Sequence, residues 1–580
     1  MSILGINDSH DAGASLVSKA SIKVAVNEER FTKNKNEVGF PYNSLGYCNE
    51  LAKGQEDIEA VALAWIGGNA LISRMFPSWD VKRRKMWRKE LPKPSRPTLH
   101  LMNFVYKLIQ NQKPRALWKL LGVSMSKRIT QSRLRKTSKE LEGKKIYVVE
   151  HHLAHAASAY YTSGFKEALI LTLDGAGDGL SGTVSLGDNG EIKRLAEFDA
   201  SASLGIMYGA ATVACDMRYS EDEGKLMSLA AYSYPKQIEG LHDICTYDVN
   251  LHKLVSKKRT RNELLLAEYM KDNILWHNDR ESFAYAMQRH LENEIKKIAE
   301  DWIKQTGVHN LVVSGGLFSN VIVNALLERL PEVKNFYVFP HMGDGGIGLG
   351  AALYIDHQLN GAFSTKQIQE LYFGPEFTNE QILEALKNAK TSSKISYEEI
   401  EDPADYCADL IAKENKIVLW FQGRMEYGPR ALGNRSILAL ANSQKNRDSI
   451  NLIIKKRPYY QPFASSILEE DAEKIIKDYL YPNRFMTVAE YVNEEYREDL
   501  VAASHIDHTT RPQIVGKENP MYARLLQKVK KEIGIGAVLN TSFNRHGKPI
   551  VMAPEDAIWT LDNSGADTLI IGNYLVKKEK

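Results

Sequence analysis

The residues in this sequence best suited to chemistry are two histidines in an alanine-rich stretch, His151 and His155. Residues 150–160 contain neither Pro nor Gly, and this composition predicts a helix. Residues four apart share one face of a helix, so the two imidazoles would point the same way while His152 points elsewhere. Two imidazoles at this spacing suit a metal ion, although such a pair by itself is more often part of a polar helix face or a satisfied buried pair.

Two predicted hairpins with acidic and small residues at their tips accompany this helix. In the first, an apolar strand at residues 3–6 leads into a turn that contains His10 and Asp11. In the second, an apolar strand at residues 168–173 leads into a turn that begins with Asp174. Glycines in such turns allow close backbone approach, and turn amides can bind an anion. Either hairpin alone would suit an ordinary protein surface equally well, but the pair favours a duplicated α/β domain whose turns line a cleft.

Two glycine-rich turns come later, each between a predicted strand and a predicted helix. Gly315 and Gly316 form the first, with Asn320 close behind, and Asp344 lies among the glycines of the second. A glycine turn at a helix N-terminus is a plausible phosphate site, and a carboxylate there either caps the helix or faces a ligand.

A second group of candidate residues follows residues 356–375, a polar and irregular stretch where we place a domain boundary. Beyond it, turns that follow predicted strands carry cationic and hydroxyl side chains: Arg430, Lys455, Arg457, Arg511 and Ser542. The guanidinium group of arginine binds phosphate or carboxylate with two parallel hydrogen bonds. Any one of these turns would fit an ordinary surface, but their convergence predicts a site for an anionic ligand.

Composition limits the class of protein. The 580 residues are 43% hydrophobic and 25% charged, which is typical of a globular protein with two or more domains. A net charge of +3 does not predict nucleic-acid binding by charge alone. The four cysteines form no C-x-x-C pair, which argues against a disulfide scaffold or a zinc ribbon. With no signal-like start and no apolar run of spanning length, we expect a cytoplasmic protein.

Residues 65–145 differ from the rest of the first half. Lysines and arginines recur there with few acids, and aromatic side chains lie between them. We interpret this stretch as a helical insertion with one basic face. Such a face fits an anionic acceptor, the surface of an anionic membrane or RNA, and it fits a solvated lid at least as well.

The order and spacing of these motifs resemble the O-carbamoyltransferases of nodulation-factor and antibiotic biosynthesis. The resemblance covers nearly the whole chain outside the insertion. It rests on Ser9-His10-Asp11, residues 28–32, the histidine helix, Gly224-Lys225, Gly315-Gly316 with Asn320, Gly343-Asp344-Gly345, residues 428–436 and residues 540–544.

The resemblance implies an α/β protein of two domains. Residues 1–360 would form a duplicated domain of the sugar-kinase/heat-shock/actin type, similar to the Kae-like enzymes that transfer threonylcarbamoyl to tRNA. Residues 372–580 would form a YrdC-like domain that makes carbamoyl-adenylate from ATP and carbamoyl phosphate, with Mg²⁺ accompanying ATP and pyrophosphate released. The first domain would then transfer the carbamoyl group to a hydroxyl of a saccharide or other small molecule, with no nucleic acid as partner.

The resemblance also implies roles for single residues. It makes His151, His155, Asp174 and Asp344 the ligands of a divalent ion, with Fe(II) as the expected metal. The implied catalytic residues are His10, Lys35, Arg430 and Lys455. The implied substrate- and nucleotide-binding residues are Asp11, Lys225, Gly315, Gly316, Asn320, Arg457, Arg511 and Ser542.

The sequence departs from the family pattern in residues 455–463. Pro458 stands where the family has glutamate, and Gln461 stands where it has a second arginine, which a neutral amide cannot replace without loss. Lys456 is a candidate to compensate. Two other functions stay open: a tRNA-modifying transferase, which the basic insertion favours, and a nucleotide-binding scaffold without turnover, which Gln461 favours. A carbamoyl enzyme of the hydrogenase-maturation type is not expected, because its C-x-x-C pairs are absent.

Overall fold

A computed structural model describes residues 2–54, 57–66, 69–109, 115–258 and 262–579. The chain divides into two compact units. The first comprises Met1–Glu28 and Asn36–Ile368, and the second comprises Glu29–Lys35 and Gln369–Lys580. The seven residues from Glu29 to Lys35 therefore belong to the second unit, although the chain on both sides of them belongs to the first.

The strands of the first unit, in chain order, are β1 (Ser2–Asn7), β2 (Gly13–Ser18), β3 (Ser21–Asn27), β4 (Ile58–Ala64), β5 (Lys145–Val149), β6 (Glu167–Gly177), β7 (Leu180–Asp188), β8 (Glu191–Asp199), β9 (Thr246–Asp248), β10 (Lys253–Val255), β11 (Asn310–Ser314) and β12 (Asn335–Val338). Strands β9 and β10 form a small hairpin, and the others form two five-stranded sheets.

The two sheets repeat one topology. The first has the order β3-β2-β1-β4-β5 and the second has the order β8-β7-β6-β11-β12. In each, three consecutive antiparallel strands are followed by two strands parallel to the first of the three. All six residues of β1 are buried, as expected for a strand covered on both faces.

The helices are α1 (Glu29–Thr32, in the second unit) and, in the first unit, α2 (Tyr42–Ala52), α3 (Asn69–Met75), α4 (Pro77–Trp87), α5 (Arg96–Ile109), α6 (Arg115–Thr137), α7 (His151–Ser163), α8 (Leu204–Ala214), α9 (Glu223–Ala230), α10 (Glu263–Asn273), α11 (Arg280–Thr306), α12 (Val321–Glu328) and α13 (Ile347–Asn360). Among the described helices, none combines the length and apolar character that crossing a lipid bilayer requires.

Helices α7 and α13 bring the two sheets together. Helix α13 packs on β1, β2 and β4 of the first sheet, α7 packs on β6 and β11 of the second, and the two helices pack on each other. They approach so closely that a Cβ on Gly350 would lie 2.0 Å from the carbonyl oxygen of Ala154. Helix α7 begins at His151 because the Glu150 side chain accepts a hydrogen bond from the Leu153 amide.

The described part of the predicted insertion is helical and consists mainly of α3 to α6. Many of its basic side chains pair with acids elsewhere in the unit. Arg88 lies 2.7 Å from Glu221, and Lys93 lies 2.6 Å from Glu268. The face that the sequence showed as basic is therefore partly neutralised by acids that come more than 100 residues later in the chain.

The second unit is built on one mixed sheet. Its strands are β13 (Ile395–Glu399), β14 (Val418–Phe421), β15 (Arg435–Leu440), β16 (Ala464–Leu468), β17 (Glu490–Tyr491), β18 (Thr509–Thr510), β19 (Pro512–Val515), β20 (Ala537–Ser542), β21 (Thr568–Ile571) and β22 (Tyr574–Lys578). Eight of them form a sheet in the order β13-β22-β21-β14-β15-β20-β16-β19. Its helices are α14 (Asn379–Lys387), α15 (Pro403–Ala412), α16 (Gln444–Ser449), α17 (Glu469–Ile475), α18 (Pro520–Ile533) and α19 (Pro554–Asp562).

Strand β14 illustrates that apolar clusters cover both faces of this sheet. Leu419 and Phe421 belong to one apolar cluster, and the alternate residues Val418 and Trp420 belong to another. Successive side chains of a strand point to opposite faces, so a strand without polar residues must lie between two apolar layers. Both units are thus mixed α/β structures.

Candidate functional site

The first unit brings two imidazoles and two carboxylates together. His151 and His155 lie one turn apart on α7, Asp174 lies near the end of β6, and Asp344 lies in the turn before α13. His151 Nε2 is 3.1 Å from Asp174 Oδ2, and His155 Nε2 is 3.3 Å from Asp344 Oδ1. One ligand atom from each of the four residues lies within 4.8 Å of the others. Four residues spread over nearly 200 positions of sequence thus meet at one point.

Neighbouring groups fix the orientation of the histidine side chains. His155 Nδ1 lies 3.2 Å from Ser314 Oγ, so its Nε2 faces the carboxylates. The prediction that His152 points elsewhere is confirmed, because its ring nitrogens contact Thr172 and the Leu180 carbonyl. Gly177 leaves room for the His151 ring, since a Cβ there would lie 1.9 Å from it.

His10 and Asp11 extend the cluster on one side. His10 Nε2 lies 2.8 Å from Asp344 Oδ2, and its Nδ1 lies 3.1 Å from Asp11 Oδ2. Asn7 holds this arrangement, because its amide donates to the carbonyls of His10, Asp11 and Asp344. The first hairpin and the turn before α13 are therefore joined by one buried amide side chain.

Burial and charge act in opposite directions on the cluster. Burial disfavours the charged form of an ionisable group, but for His155, Asp174 and Asp344 the pairing outweighs the effect of burial on the pKa. Burial alone would lower the pKa of His155, yet hydrogen bonds to Asp174 and Asp344 raise that pKa to about 9. Hydrogen bonds from His151 and His155 hold the pKa of Asp174 below its usual range, although burial alone would raise it. The carboxylates are thus kept ionised.

This donor set fits a divalent metal ion. Two buried imidazole nitrogens and two ionised carboxylates are the ligands of transition-metal sites that keep open positions. The ring nitrogen of His155 that faces away from the cluster contacts Ser314 Oγ, and a second contact of this kind fixes the orientation of a metal-binding imidazole. His151 Nδ1 is buried and has no hydrogen-bond partner among the described residues.

The other site residues predicted for the first unit differ in whether they contact the metal-ligand cluster. The Gly316 amide donates to Asp174 Oδ1 at 3.3 Å, and Gly315 precedes it with a φ of +114°. Asn320 caps α12 and also bonds to Gln288, so its polar atoms are engaged within the unit. Lys225 Nζ pairs with Asp222 at 2.8 Å. The structure thus joins the glycine turn directly to the cluster and gives Asn320 a helix-capping contact.

Sequence reasoning missed three residues at this site: Asn7, Ser314 and Arg84. Asn7 and Ser314 lie at strand ends next to predicted turns, so their position was a usable signal. Arg84 carried no such signal. It lies within a run of basic residues on α4 and is the one of Lys82, Arg83, Arg84 and Lys85 that is buried.

The second unit gathers the predicted cationic residues. Lys455 is buried, and its ammonium donates to the Ser542 carbonyl, to Ser542 Oγ at 3.1 Å and to Asn544 Oδ1. Arg457 Nε donates to Asn451 at 2.6 Å, and its guanidinium lies 4.1 Å from the centre of the Phe463 ring. Lys456, the candidate to compensate for Gln461, is exposed.

The arginines of this cluster lack acidic partners. Burial lowers the pKa of Arg430 to about 10 and that of Arg457 to about 9. Burial and the charges of Arg430 and Arg457 lower the pKa of Arg511 further. Among the described residues, no carboxylate forms an ion pair with any of the three, and Nε of both Arg430 and Arg511 is buried without a hydrogen-bond partner. Such a cluster is suited to bind a multiply charged anion.

Lys35 lies in the second unit. The sequence placed it after the first hairpin, and the structure assigns it to the Glu29–Lys35 segment of that unit. Its charge acts on Lys455, whose pKa is lowered well below its usual range by burial first and then by Arg457 and Lys35. Lys35 is therefore a neighbour of the cationic cluster.

Comparison with known proteins identifies the family. The family described as Carbamoyltransferase N-terminus matches residues 2–353, and the family described as Carbamoyltransferase C-terminus matches residues 408–578. The chain belongs to the carbamoyltransferase family.

Relatives of the chain include the nodulation protein NolNO of Sinorhizobium fredii, which is 32% identical over 98% of this chain and 79% of its own length. The 3'-hydroxymethylcephem-O-carbamoyltransferase of Streptomyces clavuligerus is 29% identical over 61% of this chain and 64% of its own length. Among solved structures, full-length HypF in the phosphate- and nucleotide-bound form is 15% identical, covers 63% of this chain and 56% of its own, and has a TM-score of 0.32.

Proposed function

We propose that this carbamoyltransferase is an O-carbamoyltransferase that divides its reaction between its two units. The second, as a YrdC-like domain, would convert ATP and carbamoyl phosphate to carbamoyl-adenylate. The first, as a duplicated domain of the sugar-kinase/heat-shock/actin type, would transfer the carbamoyl group to a hydroxyl of a saccharide or other small molecule. The named cephem relative supports oxygen as the acceptor atom.

In the second unit, the cationic cluster binds the anionic substrates. Arg430, Arg457 and Arg511 supply guanidinium groups to the phosphates of ATP and carbamoyl phosphate, and Lys455 supplies an ammonium held by Ser542. Ligand phosphates would relieve the repulsion among the buried Lys455 and the partly buried arginines. Water and carbamoyl phosphate then react with ATP to give carbamoyl-adenylate, pyrophosphate and inorganic phosphate, with Mg²⁺ accompanying the nucleotide.

In the first unit, His151, His155, Asp174 and Asp344 would hold a divalent ion, for which Fe(II) fits the donor set. When bound, such an ion lowers the pKa of an acceptor hydroxyl and polarises a carbonyl. His10 holds a proton between Asp11 and Asp344, because the two carboxylates raise its pKa to about 9 against the effect of burial. Both ring nitrogens of His10 face these carboxylates, so His10 would orient Asp11 and Asp344 beside the ligand cluster.

The observation that carries this proposal is the meeting of the four ligand residues within 4.8 Å. Two of the ligands come from α7 and the others from two separate turns, so the site depends on the fold of the whole unit.

Carbamoyl-phosphate-dependent release of pyrophosphate from ATP tests the proposal. The purified full chain is expected to release pyrophosphate only when ATP and carbamoyl phosphate are both present. ATP with inorganic phosphate in place of carbamoyl phosphate is the control. A protein with neither pyrophosphate release nor bound metal would fit a scaffold without turnover and not this proposal.

A further inference from the structure

Arg84 lies on the buried side of α4, and its guanidinium has unsatisfied donors. The residue is 5% exposed, and its Nε and Nη2 have no hydrogen-bond partner among the described residues. An unpaired buried cation costs several kilocalories per mole of stability, so natural proteins rarely keep one without a use for it.

Arg74, on the neighbouring helix α3, shows what the same two nitrogens do when an anion is present. Its Nε donates to Asp8 Oδ2 at 2.9 Å, and its Nη2 donates to Asp8 Oδ1 at 2.8 Å. This side-on pair of donors is the geometry that binds carboxylate or phosphate with two hydrogen bonds. In Arg84 the corresponding pair is unused.

The contacts of α4 place this helix near the metal-ligand cluster. The ring of Trp87, on the next turn, packs against Tyr219 with ring centroids 4.9 Å apart and tilted by 54°. The Tyr219 hydroxyl would lie 3.7 Å from a Cβ on Gly175, the residue after Asp174. Arg84 also lies within electrostatic range of His10 and Asp11, since its charge acts on the pKa of both.

The acids near Arg84 are engaged with other partners. Asp11 contacts His10 at 3.1 Å, and Asp80 pairs with Arg83 at 2.9 Å. These carboxylates partly offset the charge of Arg84 at longer range but do not fill its donors. The guanidinium is therefore held in place by α4 while its side-on donors stay available.

We propose that Arg84 binds the phosphate or carboxylate group of a molecule that occupies the first unit beside His10 and Asp11. The proposal extends the proposed function by giving the helical insertion a ligand-binding residue. The anion is either the phosphate of carbamoyl-adenylate or an acidic group on the hydroxyl-bearing acceptor. A guanidinium binds both kinds of oxyanion through the same pair of donors.

Ligand binding by the full chain tests this inference. The background carries Arg511→Gln, so that the cationic cluster of the second unit contributes less to binding. AMP is compared with adenosine, and glucuronate with glucose, by isothermal titration calorimetry. Arg84→Gln is compared with Lys85→Gln, which removes the same charge from an exposed neighbour on the same helix.

Arg84→Gln is expected to weaken the binding of one anion at least about tenfold and to leave its uncharged partner unchanged. A loss for AMP identifies the adenylate phosphate, and a loss for glucuronate identifies an acidic acceptor. Unchanged affinity for both anions, or an equal loss in Lys85→Gln, would overturn the inference.

The melting temperature separates a binding role from a structural one. Because Arg84 has unsatisfied donors in the protein itself, Arg84→Gln is expected to leave the melting temperature unchanged or raise it. A fall of several degrees would assign Arg84 a structural role and overturn the inference. Pyrophosphate release by Arg84→Gln with Arg511 intact reports on the proposed function separately, because that step is assigned to the second unit.

Discussion

At the scale of single residues, the first unit shows how pairing overcomes burial. Four ionisable side chains are removed from water, which would favour their neutral forms, yet each carboxylate lies within hydrogen-bonding distance of an imidazole. The result is a preformed, charged donor set. A divalent cation would displace the shared protons and bind the same atoms.

Replacement of one ligand tests that donor set. His155→Ala is expected to lower the metal content of protein purified without oxygen from about one equivalent to near zero, because the three remaining ligands hold a divalent ion weakly. His252→Ala is the control, since that imidazole lies in the turn between β9 and β10 and pairs with Asp301 of α11. Elemental analysis measures both. Full metal content in His155→Ala would assign the metal to other residues.

At the scale of elements, helix α9 begins with an acid that is unfavourably placed. Burial raises the pKa of Glu223 to about 7, and the neighbouring charges of Asp222 and Glu221 add to the effect. The folded protein thus holds a proton that the unfolded chain releases near pH 4.5. Folding stability due to this group is therefore present at low pH and is lost as the pH rises through 7.

Glu223→Gln removes this pH dependence. The wild-type protein is expected to lose on the order of 1–2 kcal/mol of stability between pH 5.5 and pH 8 through this group, and the amide variant is expected to keep it. Glu239→Gln, on an exposed loop, is the matched control. The melting temperature of each protein is measured across that pH range. Parallel curves for wild type and Glu223→Gln would show that Glu223 does not titrate there.

The segment Glu29–Lys35 comes from the first half of the chain but belongs to the second unit. Arg30 is 4% exposed and donates to the Gly428 carbonyl at 2.8 Å, two residues before Arg430. Phe31 packs on an apolar cluster of Met425, Ile550 and Met552. The segment therefore supports the turn that carries one of the cationic residues.

Arg30→Ala tests that support. Loss of a buried charged hydrogen bond typically costs about 1.5–3 kcal/mol, so amide exchange in residues 425–430 is expected to accelerate by on the order of tenfold or more. Lys33→Ala serves as the comparison, because Lys33 forms a half-exposed ion pair with Asp556. Hydrogen exchange that is unchanged in Arg30→Ala, or equal in the two variants, would show that Arg30 does not hold the turn.

The sequence predicted those features whose cause is local. The histidine helix follows from spacing and composition, and the strands before Asp174 and Gly315 follow from apolar runs bounded by turns. The motif around Asn320 did not predict its role, because an asparagine after a glycine turn suits a helix cap as well as a ligand contact.

What the sequence did not predict depends on contacts between distant parts of the chain. Nothing local shows that Glu29–Lys35 belongs with residues 369–580, or that Glu221 and Glu268 neutralise part of the insertion. The burial of Arg84 also depends on tertiary packing, because the basic residues on either side of it look the same in sequence.

At the scale of the whole molecule, each unit has its own charged centre of opposite character. The first gathers carboxylates and imidazoles suited to a cation, and the second gathers guanidinium and ammonium groups suited to anions. Two centres of this kind fit a reaction in two parts, activation of a carbamoyl group on phosphate and its transfer to a hydroxyl. If the chemistry is divided in this way, single substitutions can disable the two parts separately.

Pyrophosphate release by two single variants of the full chain measures this most directly. With ATP and carbamoyl phosphate saturating, His155→Ala is expected to release pyrophosphate as the wild-type protein does, since its defect lies in the first unit. Arg511→Gln is expected to lose release at least about tenfold, while Arg524→Gln, whose exposed guanidinium pairs with Asp405, keeps it. Absence of pyrophosphate from the wild-type protein, or equal loss in His155→Ala and Arg511→Gln, would contradict a division of the chemistry between the two units.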